Sequence, residues 1–308
     1  MYLAQLYDIF LVFYIGASFI FSILLIKKKH AIIFAWLILL SSFGITYSAY
    51  VEPYWVKIRL QSIVLNKIKE PVRVVVVGDW HIRPGKGADF IKWQVQKIAD
   101  LKPDLIVMTG DFLFFDDFEK FAGDLRALTA LPKIAPTITV LGNHDYGLGD
   151  PANRFDYTDS HNEISKIFSD GGIKVLADSY ERVKIKNTSI EIAGFDESWL
   201  KYKNRKNIID GFDSSADLKI AVSHNPDAAF ENIASKFDLM ITGHTHGGQV
   251  RLPFIGAIVE AGTVLPKKDY GRYIEDHNPP IFNTVGIGES GPHLRFWDRP
   301  EIVVLDIK

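Results

Sequence analysis

Apolar runs that end in a small or polar residue recur from residue 72 onward. Five of them read VRVVVVG, DLIVMTG, PTITVLG, LKIAVSH and FDLMITG. Continuous runs of this length are typical of strands buried on both faces of a sheet. Helical patterns separate the early runs, whereas short strands joined by turns follow later. This order predicts a mixed α/β sheet system with helices covering the sheets.

The same pattern places the individual elements. Strands are predicted at 56–60, 72–77, 104–108, 137–141, 173–177, 182–185, 189–193, 219–222 and 239–242. Helices are predicted at 89–99, 118–131, 160–169 and 228–235. Each of the five apolar runs therefore ends where a strand ends, and the polar residues that follow it lie at the edge of a sheet.

The first 51 residues have a different pattern. Residues 9–26 and 31–51 are apolar runs without a charge, separated only by KKKH. A hydrocarbon core about 30 Å thick needs about 20 helical residues, so both runs can cross a bilayer. We expect a transmembrane hairpin over 1–51 and one domain over 52–308, with a single long signal anchor as the alternative. A cleaved signal peptide fits poorly, because residues 1–8 carry only Asp8 as a charge.

Basic residues around the two runs give opposing indications of orientation. Three consecutive lysines in the short loop at 27–29 favour a cytoplasmic turn and an exported domain. Lys57 and Arg59, which follow the second run, favour the opposite arrangement. Because the later residues can already belong to a folded domain, we expect the exported side.

Composition excludes some function classes. A formal net charge of −2 and a pI near 6.5 argue against a general nucleic-acid binder, so no nucleic-acid partner is expected. The chain has no cysteine, which removes disulfides and thiolate chemistry. That composition suits an exported location without establishing one.

Metal-binding residue types follow the predicted strands. Each segment taken alone could be an ordinary turn at the end of a strand. GHTHGG is the strongest single indication of a metal site, because two histidines between glycines can aim into one cleft. Together the segments hold five of the nine histidines. The combination indicates a two-metal site for phosphoester hydrolysis, with candidates in GDWH, GD, GNHD, SHNPD and GHTHGG: Asp79, His81, Asp111, Asn143, His144, Asp145, His224, His244 and His246.

DWH, GD, GNHD, a lone histidine and GHTH, in that order, resemble the motifs of calcineurin-like metallophosphoesterases from about residue 52 to 308. SHNPD, GGQVRLP and the ending GIGESGPHLRFWDRPEIVVLDI resemble a bacterial membrane-associated branch that includes UDP-diacylglucosamine pyrophosphatases and related phosphodiesterases. The resemblance implies a four-layer αββα sandwich that follows the hairpin in the chain. It also implies that the hairpin anchors the protein in a bacterial inner or plasma membrane. Gly78 and Trp80 depart from the usual Ser and Leu or Ile, so Trp80 is expected to affect the pocket.

Carried over by resemblance, one metal ion would be held by Asp79, His81, Asp111 and His246. The other would be held by Asp111, Asn143, His224 and His244, with Asp111 bridging. Mixed nitrogen and oxygen ligands suit manganese first, with zinc, iron or magnesium as alternatives. A bridging hydroxide would be the nucleophile. His144 would contact phosphate or protonate the leaving oxygen, and Asp145 would orient His144.

The sequence leaves three function classes open. The expected one is a membrane hydrolase of lipid-linked or sugar-nucleotide phosphoesters, with the bilayer as a partner. The alternatives are a phosphatase for soluble nucleotides or phosphoproteins, and a non-catalytic metal-binding scaffold. Aromatic residues near the candidate ligands could bind an acyl chain, but packing against a helix is the preferred interpretation; they are Trp80, Phe112, Phe114, Phe115 and Phe118.

Overall fold

The computed structural model describes residues 3–65, 67–68, 70–114, 118–149, 158–211 and 215–308, without the side chains of 3–7 and 29. It opens with two long apolar helices, α1 (Leu3–Ile26) and α2 (Ile32–Tyr50). The helices pack against each other, and the Ser18 and Ser42 hydroxyls lie 2.5 Å apart in their interface. Large apolar side chains on the outer faces are exposed. Both helices are long and apolar enough to cross a membrane.

The first six-stranded sheet has the order β1-β14-β2-β3-β4-β5. The strands β2, β3, β4 and β5 run parallel, whereas β14 pairs antiparallel with β2 and parallel with β1, which makes the sheet mixed. Their bounds are β1 (Lys57–Ile63), β2 (Val72–Val77), β3 (Leu105–Met108), β4 (Thr137–Thr139), β5 (Lys174–Val175) and β14 (Glu301–Ile307).

The second six-stranded sheet has the order β12-β13-β9-β8-β7-β6. Its inner strands β7, β8, β9 and β13 are parallel, and the strands at both edges are antiparallel to their neighbours. The bounds are β6 (Ser179–Ile185), β7 (Thr188–Gly194), β8 (Leu218–Ser223), β9 (Leu239–Thr242), β12 (Tyr273–Ile274) and β13 (Ile281–Asn283). A separate small hairpin is formed by β10 (Arg251–Leu252) and β11 (Gly256–Ala257).

The two sheets pack face to face with helices outside them. In β2, Val72, Val74 and Val76 join the core between the sheets, whereas Val75 and Val77 face the helices. That alternation explains why every residue of the run except Arg73 is apolar. The outer helices are α3 (Ala88–Asp100), α4 (Phe118–Leu125), α5 (His161–Asp170) and α6 (Lys206–Gly211). The four-layer αββα fold is thus confirmed.

Two predicted helices differ from the structure. The helix expected at 118–131 ends at Leu125 and continues as a 3₁₀ segment over Arg126–Lys133, with Pro132 inside it. The helix expected at 228–235 is two 3₁₀ segments, Pro226–Phe230 and Asn232–Lys236. Pro132 has no amide hydrogen to donate, so it cannot continue an α-helix. The extended backbone of Glu231, with φ −75° and ψ 143°, separates the two later segments.

One segment fixes the two long helices to the domain. We call residues 293–298 the base segment. The His293 ring shares a hydrogen bond with Asp8 of α1 at 2.6 Å, and the Arg295 amide donates to the Ser48 carbonyl of α2 at 2.8 Å. The Asp298 amide donates to Glu52, just beyond α2, at 2.6 Å. The start of α1 and the end of α2 therefore meet the domain at the same place.

Candidate metal centre

The candidate ligands lie immediately after the carboxyl ends of parallel strands. Asp79 and His81 follow β2, Asp111 follows β3, and the Asn143 to Asp145 segment follows β4 in the first sheet. His224 follows β8, and His244 and His246 follow β9 in the second sheet. Because both sheets end at one cleft, residues far apart in sequence come together there, and all of them are buried.

The first group joins Asp79, His81, Asp111 and His246, which each offer one ligand atom within 4.8 Å of the others. The Nε2 atoms of His81 and His246 are 3.0 Å apart, and His81 Nε2 lies 3.4 Å from Asp111 Oδ2. His246 Nε2 lies 3.6 Å from Asp79 Oδ1. Burial lowers the pKa of both histidines well below the usual value, so their neutral rings offer lone pairs.

The second group joins Asn143, His224 and His244. Asn143 Oδ1 lies 3.1 Å from His224 Nε2 and 3.0 Å from His244 Nδ1, and the two ring nitrogens are 3.1 Å apart. His224 Nε2 also lies 3.1 Å from Asp111 Oδ2. The same Asp111 oxygen therefore adjoins both groups.

The remaining atoms of the second group fix what the site can hold. His224 Nδ1 donates to the Thr109 carbonyl at 2.8 Å, and His244 Nε2 donates to the Ala261 carbonyl at 2.6 Å. The Asn143 side-chain amide donates to the Leu148 carbonyl at 2.8 Å. When the rings are neutral, three lone-pair atoms consequently face one another, and such a group is favourable only around a cation. The donor set fits a divalent metal ion.

A proton competes for the same place. Burial disfavours the charged imidazolium of His224, but the Asp111 carboxylate outweighs burial and raises its pKa to about 10. The neighbouring His244 has its pKa lowered to about 3 by burial and by the charge on His224. One cation therefore suits this group, and a metal ion would replace the proton on His224.

Several candidate ligand residues have a left-handed backbone. The φ angles are 50° at Asp79, 42° at His81, 54° at Asp111, 70° at His244 and 49° at His246. Such conformations are uncommon for residues with a side chain and cost about 1–3 kcal/mol each. The polar residues leave their strands through sharp turns, which is how side chains two positions apart can approach one cleft.

Two glycines make room for these turns. A Cβ atom on Gly142 would collide with Asp111 Oδ1, and a Cβ atom on Gly78 would collide with the Thr109 hydroxyl. Gly78 stands where the family motif usually has serine. The glycine has a steric reason here, because a Cβ atom at position 78 would collide with Thr109 between β2 and β3.

Comparison with known proteins agrees with this geometry. The family model described as calcineurin-like phosphoesterase matches residues 72–248, which is more than half of the chain. The chain belongs to this family. Phosphoesterases of the family hydrolyse phosphoester bonds and bind divalent metals, so the resemblance to the family is confirmed and the reaction class follows. The narrower resemblance to the membrane-associated branch stays a prediction.

The phosphoesterase is similar over most of its length to several bacterial proteins. It is 29% identical over 273 residues to phosphodiesterase YaeI of Escherichia coli, covering 87% of this chain and 94% of that protein. It is 28% identical over 274 residues to the uncharacterized metallophosphoesterase YkuE of Bacillus subtilis, covering 86% and 90%. A 5'-nucleotidase precursor from Thermus thermophilus aligns with 12% identity and a TM-score of 0.43, covering 77% and 54%.

His144 and Asp145 have different surroundings in the phosphoesterase. His144 lines the cavity, and its Nε2 lies 3.9 Å from Asp111 Oδ2. The Asp145 carboxylate accepts hydrogen bonds from the backbone amides of Asp111, Phe112 and Gly142 at 2.8–3.0 Å. Asp145 thus braces the loop that presents Asp111, and its contribution to the orientation of His144 stays a prediction.

A cavity of about 530 Å³ opens over the ligands. Its wall comprises ligand residues, the 259–262 and 290–292 segments, Trp199 and Leu294. Trp80 is not among the described lining residues, because it is buried in the core beneath the outer helices together with Phe112. Phe118 packs against the same core, so packing accounts for these three aromatic residues. Phe115 lies outside the described residues.

Phe114 differs from the other aromatic residues. Its ring stacks on the His144 ring at 5.6 Å with an interplanar angle of 25°, and it meets the His293 ring at 4.6 Å. Phe114 therefore stands between the metal centre and the base segment.

Sequence reasoning missed several contributors to the site. Thr109 and Ala261 act through carbonyl groups, which leave no residue-type signal. Glu197 is fully buried behind Trp199, whose amide donates to its carboxylate at 3.0 Å, and burial raises its pKa to about 7. A signal existed for this residue, since GFDESW follows β7 as the other polar segments follow their strands.

Proposed function

We propose that this phosphoesterase is a dinuclear metal-dependent phosphodiesterase or pyrophosphatase held at a membrane, acting on a lipid-linked or sugar-nucleotide phosphoester. The observation that carries the metal part is the position of Asp111. Its Oδ2 atom lies 3.4 Å from His81 Nε2 and 3.1 Å from His224 Nε2, between two groups of converging ligand atoms. A carboxylate in that position can bridge two ions.

The residues present fit two divalent ions, with Asp79, His81, Asp111 and His246 around one and Asp111, Asn143, His224 and His244 around the other. When bound, such a pair supplies Lewis acidity to the phosphoryl oxygens and acidifies a water molecule. Imidazole, carboxylate and amide donors together suit manganese, zinc or iron. The two ligand carboxylates leave a positive site, which attracts a phosphate ester.

His144 is proposed to act on the substrate directly. Its ring lies on the cavity wall, and its Nε2 atom lies 3.9 Å from Asp111 Oδ2, farther than the 3.4 Å and 3.1 Å of His81 and His224. Stacking on Phe114 restrains the ring. From that place its N–H can donate a hydrogen bond to a phosphoryl oxygen. In its protonated form the ring can deliver a proton to the leaving oxygen and so neutralise the charge that develops there.

The membrane placement rests on the hairpin and its contacts. Two helices that are long and apolar enough to cross a bilayer have exposed apolar faces, including Phe13 and Leu40. Leu294 of the base segment lines the cavity, and its neighbour Arg295 is bonded to the end of α2. The cavity therefore adjoins the helix ends, where a membrane-borne substrate would be concentrated. The name of the relative YaeI, a phosphodiesterase, supports a diester substrate.

The test is an assay of the full chain in lipid nanodiscs with Mn²⁺. Three substrates are compared: bis(p-nitrophenyl) phosphate, p-nitrophenyl phosphate and a pyrophosphate-linked lipid. We expect turnover of the diester or the pyrophosphate lipid to exceed that of the monoester, with Asp111→Asn as the inactive control. A preference for the monoester would favour a soluble phosphatase. Two bound metal equivalents without turnover of any substrate would favour a scaffold.

A further inference from the structure

The small β10–β11 hairpin displays apolar side chains to solvent. Residues 252–259 read LPFIGAIV, an uncharged stretch between Arg251 and Glu260. Phe254 is fully exposed, and Ile255 and Val259 are 71% and 54% exposed. An exposed patch of this kind beside a binding cavity indicates an interaction site.

Phe254 has a strained backbone conformation at the tip of the hairpin. Phe254 has a φ of 65°, the left-handed conformation that glycine adopts without strain. A bulky residue there is strained, and its ring gains no burial within the described fold in return. The strain has a use if the ring is buried against something outside the chain.

The tip leads directly into the metal centre. Val259, Glu260, Ala261 and Gly262 line the cavity, and the Ala261 carbonyl accepts the hydrogen bond from His244. Whatever covers the β10–β11 hairpin therefore lies at the cavity mouth.

The base segment connects the same hairpin to the long helices. The Arg251 amide donates to the Phe296 carbonyl at 2.9 Å, and the Phe296 amide donates to Gln249 at 3.0 Å. The preceding residue, Arg295, is bonded to Ser48 of α2. Phe254 and the helix ends thus flank one segment of six residues, 293–298.

Exposed aromatic residues lie on and near this segment and the end of α2. Trp297 is 65% exposed, and Tyr50 and Trp55, at and just beyond the end of α2, are 54% and 55% exposed. Tryptophan and tyrosine are enriched where a membrane protein crosses the lipid headgroups. The Arg299 guanidinium, 3.9 Å from the Trp55 ring centre, adds a cation suited to phosphate headgroups.

We propose that the β10–β11 hairpin inserts into the bilayer interface beside the two long helices, so that the cavity opens onto the membrane and receives a phosphoester whose acyl chains remain in lipid. This inference rests on the proposed function and narrows its substrate to a membrane lipid. A second copy of the chain is the competing occupant of the patch. It fits less well, because it would cover Val259 at the cavity mouth and compete with the bilayer that the helices place there.

The absence of cysteine permits a direct test with single labels. Phe254→Cys is labelled with an environment-sensitive NBD fluorophore in the full chain, reconstituted into phosphatidylcholine and phosphatidylglycerol vesicles. Phe230→Cys, at an aromatic residue that is 49% exposed in the 3₁₀ segment Pro226–Phe230, is the matched control. We expect doxyl-labelled lipids to quench the Phe254 label and aqueous iodide to quench the Phe230 label. Equal quenching of both labels by iodide overturns the proposal.

A kinetic test uses two substrates with the same leaving group. The Phe254→Ser, Ile255→Ser double variant should hydrolyse bis(p-nitrophenyl) phosphate normally. It should lose about tenfold or more on a p-nitrophenyl phosphodiester of diacylglycerol in vesicles, because two large apolar side chains no longer enter the lipid. Phe230→Ser should match the unchanged chain on both substrates. Equal rates of the double variant on vesicles overturn the proposal, as does a dimer that the double substitution dissociates in light scattering.

The two tests separate this proposal from the function itself. If the unsubstituted chain hydrolyses no phosphodiester, the proposed function is contradicted. The position of the Phe254 label is measured by quenching alone, so it does not depend on turnover. If lipid quenches the Phe254 label but the chain prefers monoesters, insertion of the hairpin stands and the proposed diester substrate is contradicted.

Discussion

At the residue scale, one oxygen of Asp111 adjoins both groups of candidate ligands. Asp111→Asn should remove most bound metal and nearly all hydrolysis while the fold survives. An asparagine keeps the Oδ1 atom that accepts from the His144 amide and tolerates the left-handed φ of 54°, so the backbone should hold its shape. It replaces the shared Oδ2 atom with an amide nitrogen, which removes both the charge and the bridging oxygen. Elemental analysis and a thermal melt measure both effects. Two metal equivalents with unchanged turnover would refute the bridging assignment.

His144 gives a prediction of the opposite kind. His144→Ala should keep metal occupancy but lose roughly 10² to 10⁴ in turnover, the usual range for a lost acid-base group. The control is His161→Ala, which changes a histidine in the first turn of α5. Loss of metal would make His144 a ligand, and full activity would leave it only a packing role beside Phe114.

His224 links metal binding to pH. The Asp111 carboxylate raises its pKa to about 10 in spite of burial, so at pH 8 the ring is protonated before metal binds. Metal must displace that proton, and affinity should rise about tenfold per pH unit until pH approaches the His224 pKa. Calorimetry in two buffers of different ionisation enthalpy should report release of about one proton at pH 8. His224→Gln should abolish the release, and a pH-independent affinity would contradict the prediction.

At the scale of elements, the loop after β4 is held by Asp145. Asp145→Asn places an amide group where three backbone amides now donate to carboxylate oxygens, so at least one donor loses its acceptor. We expect a loss of about 1–3 kcal/mol in the free energy of unfolding, measured in urea. Asp89→Asn, at a fully exposed side chain, should change little. Unchanged stability with a large loss of turnover would instead support the orienting role for His144.

The elements also show what a sequence can and cannot predict. The strand at 72–77 is predicted with its observed bounds, because a run of valines buried on both faces fits few structures besides a central strand. The candidate ligands stand out in the sequence because each follows such a strand. The predicted helix at 228–235 is wrong, since its apolar residues pack through two separate 3₁₀ turns. The two-residue strands β10 and β11 are too short for a periodic pattern, and the carbonyls of Thr109 and Ala261 have no side-chain signal.

At the scale of the whole molecule, the hairpin should decide which substrate the site meets. Deleting residues 1–50 should leave turnover of a small chromogenic diester almost intact but sharply reduce hydrolysis of a lipid in vesicles, because local concentration at the surface is lost. The deletion retains Glu52 and its bond to the Asp298 amide, which helps to preserve the base segment. If the truncated and full-length chains hydrolyse the vesicle lipid equally well, the hairpin serves only to target the protein to the membrane.

The contacts of the base segment also relate the side of the bilayer that holds the amino terminus to the side that holds the domain. Asp8 at the start of α1 and Ser48 at the end of α2 both bind residues 293–298, so the amino terminus and the catalytic domain lie on the same side of any bilayer that the helices cross. A fluorescent protein that is dark in an oxidising compartment, fused ahead of residue 1, would therefore report the side on which hydrolysis occurs. The lysine loop at 27–29 would face the other compartment, where an added protease could reach it without touching the enzyme.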